Sequence, residues 1–401
     1  MTSPTDKPST RTALIASATR RGGGRRPVNP PIERASTMLS DSAAVMRDTS
    51  LGPTYGLDGM SAARALRAAL AELEGGKDAI LTPSGLSAVS VPMTALLRPS
   101  DEVLAGDGVY GPSRRLLTRH LARWGVTARF HAPDADAAAV AALIGPATRM
   151  VLIESPASLT FEMIDVPALA AACRAKGVLT LMDNTWAAGL SFRPLEHGVD
   201  LSAQAITKYV SGHSDVLMGS VAWTDPTLGA RIETAVEDLG WHVSPDEAWL
   251  ALRGLRTLPL RYAEQARSAL ALARWLQDRP EVARIIYPAL PGSLGHELWA
   301  RDYDGAASIF GLVMKGGDAA SAHAFLDALG LFGLGYSWGG YESLITHETG
   351  QLAFRAHRPA LEGELLRLHV GLEDPADLIA DLEVGLAAWR AQQDSNLQPS
   401  A

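Results

Sequence analysis

The chain has 401 residues, of which 47% are hydrophobic and 20% charged, and its formal net charge is −8. This composition is typical of a globular protein with a large core and excludes a largely disordered chain, while the negative charge argues against nucleic acid or an anionic membrane as a partner. The length predicts two domains, and the single cysteine, Cys173, excludes an intrachain disulfide and is expected to be a core residue.

The first 59 residues are expected to form an N-terminal arm. Residues 1–26 are rich in Ser, Thr, Pro, Gly and Arg, lack the apolar core of a signal peptide, and predict a flexible basic segment around residues 22–26. Residues 27–59 contain prolines and glycines without a helical period and predict an extended segment.

One uncharged stretch, residues 79–97, approaches the length of a membrane-spanning helix, but its prolines, glycine and hydroxyl residues favour a strand, a turn and a buried helix. We therefore expect a soluble, cytoplasmic protein without a membrane partner.

From residue 60 onward, short apolar runs alternate with helical patterns. Strands are predicted at 79–81, 102–105, 127–130, 150–153, 178–182, 199–203 and 216–221. Helices are predicted at 61–74 with Ser61 as the N-cap, from 85, at 112–124, at 135–144 and from 166. Such alternation indicates a mostly parallel, seven-stranded sheet covered by helices on both faces, with its ligand at the carboxyl ends of the strands.

The pattern changes at about residue 254, where a long helix over 259–277 precedes mixed elements and a last helix over 376–392. We predict a large domain at 60–253, a smaller α+β domain at 254–394 and a frayed tail at 395–401.

A lysine in an unusual setting suggests where the chemistry lies. Lys208 stands between the apolar stretches 201–206 and 216–221, with hydroxyl residues and glycines around it. Burial lowers the pKa of an ammonium group and makes the amine a usable nucleophile or base. The alternative is a solvated lysine at a strand end, which is the usual position of lysines.

Three further features lie at predicted strand ends. Asp183 follows the strand at 178–182, where a buried carboxylate needs a cationic partner such as a protonated pyridine nitrogen, although it could equally cap the next helix. Gly85 and Leu86 open a helix after Ser84, so their N–H groups could hold a phosphate, although an ordinary turn is the simpler interpretation. Tyr110 could stack on a flat ring or pack in the core.

Together with the Thr207 hydroxyl, these features give an anion site, an aromatic plate, a carboxylate and a buried lysine. That combination indicates pyridoxal phosphate (PLP). The sequence shows no dinucleotide fingerprint, no histidines at metal-ligand spacing and no Gly-x-Ser-x-Gly motif of a hydrolase.

The chain also resembles the Cys/Met-metabolism family of PLP-dependent enzymes (fold type I), and within it the cystathionine β-lyases, over residues 28–386. The segments that carry the resemblance are VNPP at 28–31, LIESP at 152–156, DNTWAAG at 183–189, TKY at 207–209, GHSD at 212–215, GLRTL at 254–258, PALPGS at 288–293, YSWGGYES at 336–343 and RLHVGLE at 367–373.

The resemblance implies a role for each matching residue. Lys208 would hold the cofactor covalently, Asp183 would keep its ring nitrogen protonated, and Tyr110 would stack on the ring. The residues implied to bind the phosphate are Gly85, Leu86, Thr207 and, from the neighbouring subunit, Tyr55. The residues implied to bind the substrate are Ser337, Trp338 and Arg367, of which Ser337 and Arg367 would hold its α-carboxylate. The implied assembly is a homotetramer made of two dimers.

The arm departs from the family pattern at one informative position. The family's Tyr-x-Arg is Tyr55-Gly56-Leu57 here, with Asp58 next to it, so one phosphate-binding arginine is missing. A lost charge-assisted contact costs about 1.5–3 kcal/mol. Arg47 and Arg114 are candidates to replace it. Smaller departures are Met60-Ser61 and Ala205, the latter where many relatives have a serine.

The activity implied is the β-elimination of L-cystathionine to homocysteine, pyruvate and ammonia, with Lys208 as the base at Cα. Trp186 and residues 336–338 are where side-chain selection is expected. The alternatives are a γ-lyase, a γ-synthase or a broader cysteine-S-conjugate β-lyase on the same scaffold, and, more remotely, a non-enzymatic regulator or binding protein.

Overall fold

A computed structural model gives the structure of the chain and describes residues 9–19, 25 and 27–397. Its strands are β1 (Asp78–Thr82), β2 (Glu102–Gly106), β3 (Thr127–His131), β4 (Thr148–Glu154), β5 (Leu179–Asp183), β6 (Leu201–Ala205), β7 (Gly219–Trp223), β8 (Val282–Ile286), β9 (Ile309–Met314), β10 (Gly333–Leu334), β11 (Leu344–His347) and β12 (Leu365–His369). Its helices are α1 (Thr10–Thr19), α2 (Ala43–Arg47), α3 (Ser61–Leu73), α4 (Gly85–Leu96), α5 (Gly111–Arg115), α6 (Ala137–Leu143), α7 (Val166–Ala175), α8 (Pro226–Asp238), α9 (Pro245–Gln277), α10 (His296–Asp302), α11 (Ala319–Asp327) and α12 (Pro375–Leu397).

The first sheet has seven strands in the order β1-β7-β6-β5-β4-β2-β3. Strands β6, β5, β4, β2 and β3 are parallel, and β7 runs antiparallel to both of its neighbours. The predicted mostly parallel, seven-stranded sheet is therefore confirmed. The parallel order brings the carboxyl ends of β4, β5 and β6 side by side, which is where polar side chains after these strands meet.

Both faces of this sheet are buried. In β4, Met150 and Leu152 pack with α4 and α8, whereas Val151 and Ile153 pack with α3, α7 and α9. Because successive side chains of a strand point to opposite faces, a doubly covered strand reads as a continuous apolar run in the sequence. This explains why the strands were visible without any alternation of polar and apolar residues.

The second sheet has five strands in the order β10-β11-β12-β9-β8, and only the β10–β11 pair is parallel in the described chain. Helices α11 and α12 pack together beside it. Its apolar residues continue the core of the first sheet, since Phe310 and Leu365 belong to the same buried cluster as Val151. The predicted smaller α+β unit is thus confirmed.

Helix α9 connects the two sheets and begins earlier than predicted. Ser244 caps it, because its hydroxyl accepts from the Asp246 N–H, and Pro245 occupies the first turn. The predicted start at Pro259 was wrong, since this proline lies inside the helix. The predicted domain boundary at 253/254 also falls within α9.

Helix α9 holds the segment that follows β6. A Cβ at Gly254 would lie 2.2 Å from the Ser211 carbonyl oxygen, so only glycine allows this approach. The Arg261 guanidinium, which is buried, donates to the carbonyls of Tyr209 (2.8 Å) and Val210 (3.2 Å). The turns that contain Lys208 are therefore fixed on a helix as well as on the sheet.

Other predicted boundaries also need correction. Residues 10–19 form helix α1 with Leu14 buried against α3 and α9, where a flexible arm was expected. Ser61 is the first residue of α3 and not its cap, which is Met60. The predicted helix at 112–124 is interrupted after Arg115 by a π-turn and a 3₁₀-turn, and α12 reaches Leu397, into the predicted tail. Most of the predicted basic stretch 22–26 lies outside the described residues.

None of the helices in the described part of the chain is long and apolar enough to cross a membrane.

A buried carboxylate joins α3 to the first sheet. Glu74, directly after α3, is 1% exposed and accepts hydrogen bonds from Asn184, Ser202 (2.9 Å) and Gln204. Burial raises the pKa of this carboxyl to about 7, although the three donors and Arg193 oppose the shift. Glu74 therefore titrates at neutral pH in the folded protein.

We expect this carboxyl to make stability depend on pH. The folded protein holds a proton on Glu74 up to about pH 7, whereas the unfolded chain releases it near pH 4.5, so stability from this group is complete below pH 4.5 and lost as the pH rises to 7. The loss amounts to about 3 kcal/mol. The measurement is the melting temperature from pH 4.5 to 8 for the wild type and Glu74→Gln, which should lack this component.

The matched control is Glu72→Gln, an exposed position two residues earlier on α3, which should keep the pH dependence of the wild type. Parallel melting curves for wild type and Glu74→Gln over this range would contradict the assignment.

Candidate functional site

The site lies between the two sheets and is centred on Lys208. The Lys208 Nζ atom donates to the Ser337 Oγ at 2.7 Å and lies 5.4 Å from the centroid of the Trp338 ring. Lys208 belongs to the turns after β6, while Ser337 and Trp338 belong to the loop between β10 and β11. Residues 129 positions apart are thus brought into direct contact.

The environment of Lys208 favours its neutral amine. Burial is the main cause that lowers the pKa of Lys208, to about 8, and the positive charge of Arg367 adds to the effect, while Asp183 opposes it. A sizeable fraction of this amine is therefore neutral near physiological pH. A neutral amine can act as a nucleophile or accept a proton.

The loop between β10 and β11, which contacts Lys208, has an unusual backbone. Ser337 has a φ of 104°, a conformation that residues with a side chain rarely adopt. Gly339 packs directly on the lysine segment, because a Cβ there would lie 2.8 Å from the Tyr209 nitrogen and 2.9 Å from the Lys208 carbonyl carbon. Close packing thus holds the Ser337 hydroxyl at the lysine amine.

Asp183 ends β5 and points toward the same region. Its Oδ1 accepts from the Thr185 N–H (3.1 Å) and hydroxyl, whereas Oδ2 accepts no hydrogen bond from any residue the structure describes. Burial raises the pKa of the Asp183 carboxyl, and the Thr185 donors and Lys208 oppose the shift. A carboxylate with one free oxygen in such a place can take a cationic donor.

Glu154 is a site residue that the sequence interpretation did not single out. It ends β4 directly beside Asp183 in the parallel register, and its Oε2 accepts from the Tyr110 N–H at 2.6 Å. Burial, followed by the charge of Asp183, raises the pKa of Glu154 well above its ordinary value. The signal was present, because Glu154 follows an apolar strand just as Asp183 does.

Tyr110 stands at the start of α5 with its side chain partly exposed. Its residue exposure is 47%, and the charges of Asp183, Glu154 and Arg367 all act on its hydroxyl. Burial and the two carboxylates raise the pKa of Tyr110. An accessible ring held by Glu154 at the edge of the site is placed to cover a flat ligand.

The start of α4 lies close to the end of β6. A Cβ at Gly85 would be 2.5 Å from the Ala205 Cβ, so the N–H groups of Gly85 and Leu86, which have no acceptor within the helix, stand near the lysine segment. The Thr207 hydroxyl is already engaged, since it donates to the Met218 carbonyl (3.2 Å) and accepts from its N–H (3.0 Å). Its phosphate role remains a prediction.

Arg367, on β12, provides the positive charge of the site. Its Nη1 lies 3.5 Å from the Glu348 Oε1, and Glu348 also accepts from Thr346. Burial lowers the pKa of Arg367, but an arginine stays charged. Because Glu348 occupies one side of the guanidinium at a long distance, the group can still take a second carboxylate.

The arm residue Tyr55 is not brought to this site within one described chain. It is half exposed and forms a bridge with Thr37. The Asp58 Oδ2 closes the turn by accepting from Thr54 N–H and hydroxyl (2.9 Å) and from Tyr55 N–H (3.0 Å). Arg114, one candidate for the missing arginine, pairs instead with Asp107 and lies 3.9 Å over the Phe130 ring.

These residues fit the expected cofactor. PLP has a ring nitrogen that needs a carboxylate, a flat ring, a phosphate and an aldehyde that reacts with an amine. The chain offers the free Oδ2 of Asp183, the Tyr110 ring, the unpaired amides of Gly85 and Leu86, and the Lys208 amine with its lowered pKa. A separate charged group, Arg367, remains for a substrate carboxylate.

Comparison with known proteins gives consistent matches. A family model described as "Cys/Met metabolism PLP-dependent enzyme" matches residues 11–387. The cystathionine beta-lyase of Bordetella avium is 43% identical, and the cystathionine beta-lyase MetC of Escherichia coli is 40% identical, each match covering 90% of this chain and 93% of the relative. A cystathionine gamma-synthase of Mycobacterium bovis is 36% identical over 90% of this chain and 92% of its own. The crystal structure of metB from Corynebacterium glutamicum matches with a TM-score of 0.89 at 29% identity, over 95% of this chain and 98% of that one.

Proposed function

Since the chain belongs to the Cys/Met-metabolism family of PLP-dependent enzymes, we propose that it catalyses the β-elimination of L-cystathionine to homocysteine, pyruvate and ammonia. The observation that best supports an elimination reaction is the state of the Lys208 amine. It is hydrogen-bonded to Ser337, has a pKa of about 8 and lies near Asp183 and Arg367. Relatives named as β-lyases, with identities of 34 to 43% in four of them, support the β-elimination.

Binding of the substrate follows from the two charged ends of the site. Arg367 would hold the α-carboxylate with its planar fork, and the Ser337 hydroxyl would donate to the same group once Lys208 is engaged elsewhere. Trp338 lies beside Lys208, and Trp186 lies three residues after Asp183. Both would limit the shape of the sulfur-containing side chain that the site accepts.

Holding the cofactor falls to the other residues. Lys208 would attach it covalently, the Asp183 Oδ2 would accept from its protonated ring nitrogen, and Tyr110 would cover its ring. Gly85 and Leu86 would donate to its phosphate from the start of α4. Glu154 would keep the Tyr110 backbone in place.

The chemical step needs one group to move a proton and another to hold electrons. When bound, PLP supplies an electron sink for the charge left at Cα after proton removal, which allows a thiolate to leave from Cβ. The Lys208 amine takes the proton from Cα, and its pKa of about 8 suits a base working near neutral pH. Arg367 and Ser337 would hold the substrate α-carboxylate near this amine. The overall reaction consumes one water and yields homocysteine, pyruvate and ammonia.

The test is to identify the products from L-cystathionine by chromatography. We expect pyruvate and homocysteine in equal amounts and an absorption band of the bound cofactor in the purified protein. Formation of 2-oxobutyrate and cysteine would assign a γ-lyase instead. If the purified protein showed neither the cofactor band nor turnover, a non-enzymatic role would be favoured.

We also propose that the enzyme works as a homotetramer of two dimers and that Tyr55 reaches the neighbouring subunit's phosphate site. The arm supports this, because its large apolar side chains are exposed in the single chain, among them Leu39 (96%), Leu51 and Leu57. Light scattering after gel filtration gives the number of subunits.

The proposed compartment is the cytoplasm. Residues 60–253 would hold the cofactor and 254–394 would provide Ser337 and Arg367.

The arm allows a gain-of-affinity prediction. Leu57 is 49% exposed beside Tyr55, in the position of the family's arginine. If the neighbour's phosphate lacks one positive partner, Leu57→Arg should tighten cofactor binding by about tenfold to a hundredfold. Asp58 should be left unchanged, because it holds Thr54 and Tyr55 in the turn. The measurement is cofactor dissociation in phosphate-free buffer.

Leu51→Arg is the matched control, since Leu51 is exposed on the same arm, and it should leave dissociation unchanged. Equal dissociation from Leu57→Arg and the wild type would mean that another basic residue already serves the phosphate.

A further inference from the structure

A chain of hydrogen bonds lies behind the lysine and returns to the loop that contacts it. The Tyr209 hydroxyl, next to Lys208 in sequence, accepts from the Ser308 N–H (2.7 Å) and lies 3.1 Å from the Ser308 Oγ. The Ser308 Oγ lies 3.1 Å from the His369 Nδ1, and the Gly339 N–H donates to the His369 Nε2 at 3.0 Å. With the Lys208–Ser337 bond, these contacts form a closed ring.

The part of the ring behind the lysine is fully buried. Tyr209, Ser308 and His369 are each 1% exposed or less. His369 lies on β12 two residues after Arg367, so the same face of one strand carries the guanidinium of the site and the imidazole behind it. The mechanism proposed above does not use His369.

The His369 imidazole must be neutral to accept the Gly339 N–H. The Gly339 N–H lies 3.0 Å from Nε2 and 3.4 Å from Nδ1, so it points at the nitrogen-bearing part of the ring, and a ring without positive charge can accept it. The Gly340 carbonyl is farther from Nε2, at 3.3 Å. Burial, with the positive charges of Arg367 and Lys208, lowers the pKa of His369 to about 3, so the ring keeps this form across the working range.

Gly339 follows two residues after Ser337, whose backbone φ is 104°. Such a conformation costs free energy and persists only where the surroundings fix it. The close packing of Gly339 on Lys208 and Tyr209 fixes one side of the loop, and the hydrogen bond to His369 fixes the other.

We propose that His369 is a positioning residue that holds the 336–340 loop through the Gly339 N–H, and thereby sets the Ser337 hydroxyl for the substrate α-carboxylate. The proposal rests on the function proposed above for Ser337 and Arg367. It assigns His369 no contact with the substrate or the cofactor.

The first test is His369→Phe, which keeps a ring of similar size and removes both nitrogens. We expect KM for cystathionine to rise about tenfold with kcat changed by less than about threefold, because the Gly339 N–H loses its acceptor and the loop relaxes. His369→Gln should restore most of the binding, since its Oε1 can accept from Gly339 near the position of Nε2.

The second readout does not need turnover. Glycine has the α-carboxylate and amine of a substrate but no leaving group, so its Kd can be titrated by the absorption change of the cofactor-loaded protein. We expect this Kd to rise about tenfold in His369→Phe and to stay within about threefold of the wild type in His369→Gln. If cystathionine proves not to be a substrate, the glycine titration still tests His369.

Two further variants separate positioning from core packing. Ser308→Ala breaks the ring one step away and should raise the glycine Kd about threefold, which keeps the test open if His369→Phe does not fold. Leu366→Ala, a buried position on the opposite face of β12, should lower the melting temperature without changing the glycine Kd. A glycine Kd within twofold of the wild type in His369→Phe and Ser308→Ala, or equal damage from Phe and Gln at position 369, would overturn the proposal.

Discussion

Replacing Lys208 by alanine is expected to abolish turnover of every amino-acid substrate while leaving the protein folded. In the proposed mechanism one amine serves both as the attachment point of the cofactor and as the base at Cα, and the loss of a positioned base alone costs about 10²- to 10⁴-fold in rate. The fold should tolerate the change, because the ammonium is a partly desolvated charge whose burial lowers its pKa to about 8. The measurements are pyruvate formation and the melting temperature.

Lys176→Ala is the matched control. Among the described residues, the Lys176 Nζ donates to the Ala141 carbonyl at the surface, so its loss should leave the rate unchanged. Residual elimination by Lys208→Ala above a few per cent of the wild type would show that the base has been assigned to the wrong residue.

The second large effect is expected from Arg367→Lys. The change keeps the positive charge but loses the planar fork that binds a carboxylate with two parallel hydrogen bonds. The new ammonium would also be drawn to Glu348, which already lies 3.5 Å from the guanidinium. We expect KM to rise about ten- to a hundredfold, with the absorption spectrum of the bound cofactor unchanged.

Arg390→Lys controls for the loss of a guanidinium elsewhere in the same part of the chain. Arg390, on α12, pairs with Glu281, just before β8, and its replacement should leave KM as it is. If Arg367→Lys instead released the cofactor at an unchanged KM, Arg367 would belong to the phosphate and not to the substrate.

The sheet could be predicted from the sequence because its strands are buried on both faces. The run at 150–153 is apolar throughout, since Met150 and Leu152 serve one face and Val151 and Ile153 the other. The seven strands and their mostly parallel order followed from such runs and from the helical patterns between them. The ends of two strands, Thr148–Glu154 and Leu179–Asp183, differ by only one or two residues from those predicted.

The start of α9 was missed because a proline was taken as a boundary. Pro259 lacks an N–H group, but the helix continues through it from Pro245 to Gln277. The Ser244–Pro245 pair carried the correct signal, a capping residue followed by a proline in the first turn.

The site could be predicted only as far as its residues follow strands or family motifs. Asp183 and Lys208 stand out locally, whereas the contacts of Thr207 and His369 depend on residues brought near by the fold. Asp58 stands next to the position of the missing arginine in the sequence, but its carboxylate closes its own turn. His369 has no local signal of a positioning role, because its partners Ser308 and Gly339 lie 61 and 30 positions away.

The attachment of the lysine turns to α9 has a consequence for hydrogen exchange. The carbonyls of Tyr209 and Val210 are held by a buried guanidinium of a helix about 50 Å long that packs on both sheets. Amides of residues 206–212 therefore cannot exchange with solvent by local opening alone, since opening would leave the buried Arg261 charge without its hydrogen-bond acceptors. They should exchange together with α9 as one cooperative unit, long after the exposed arm at residues 27–59 has exchanged its own.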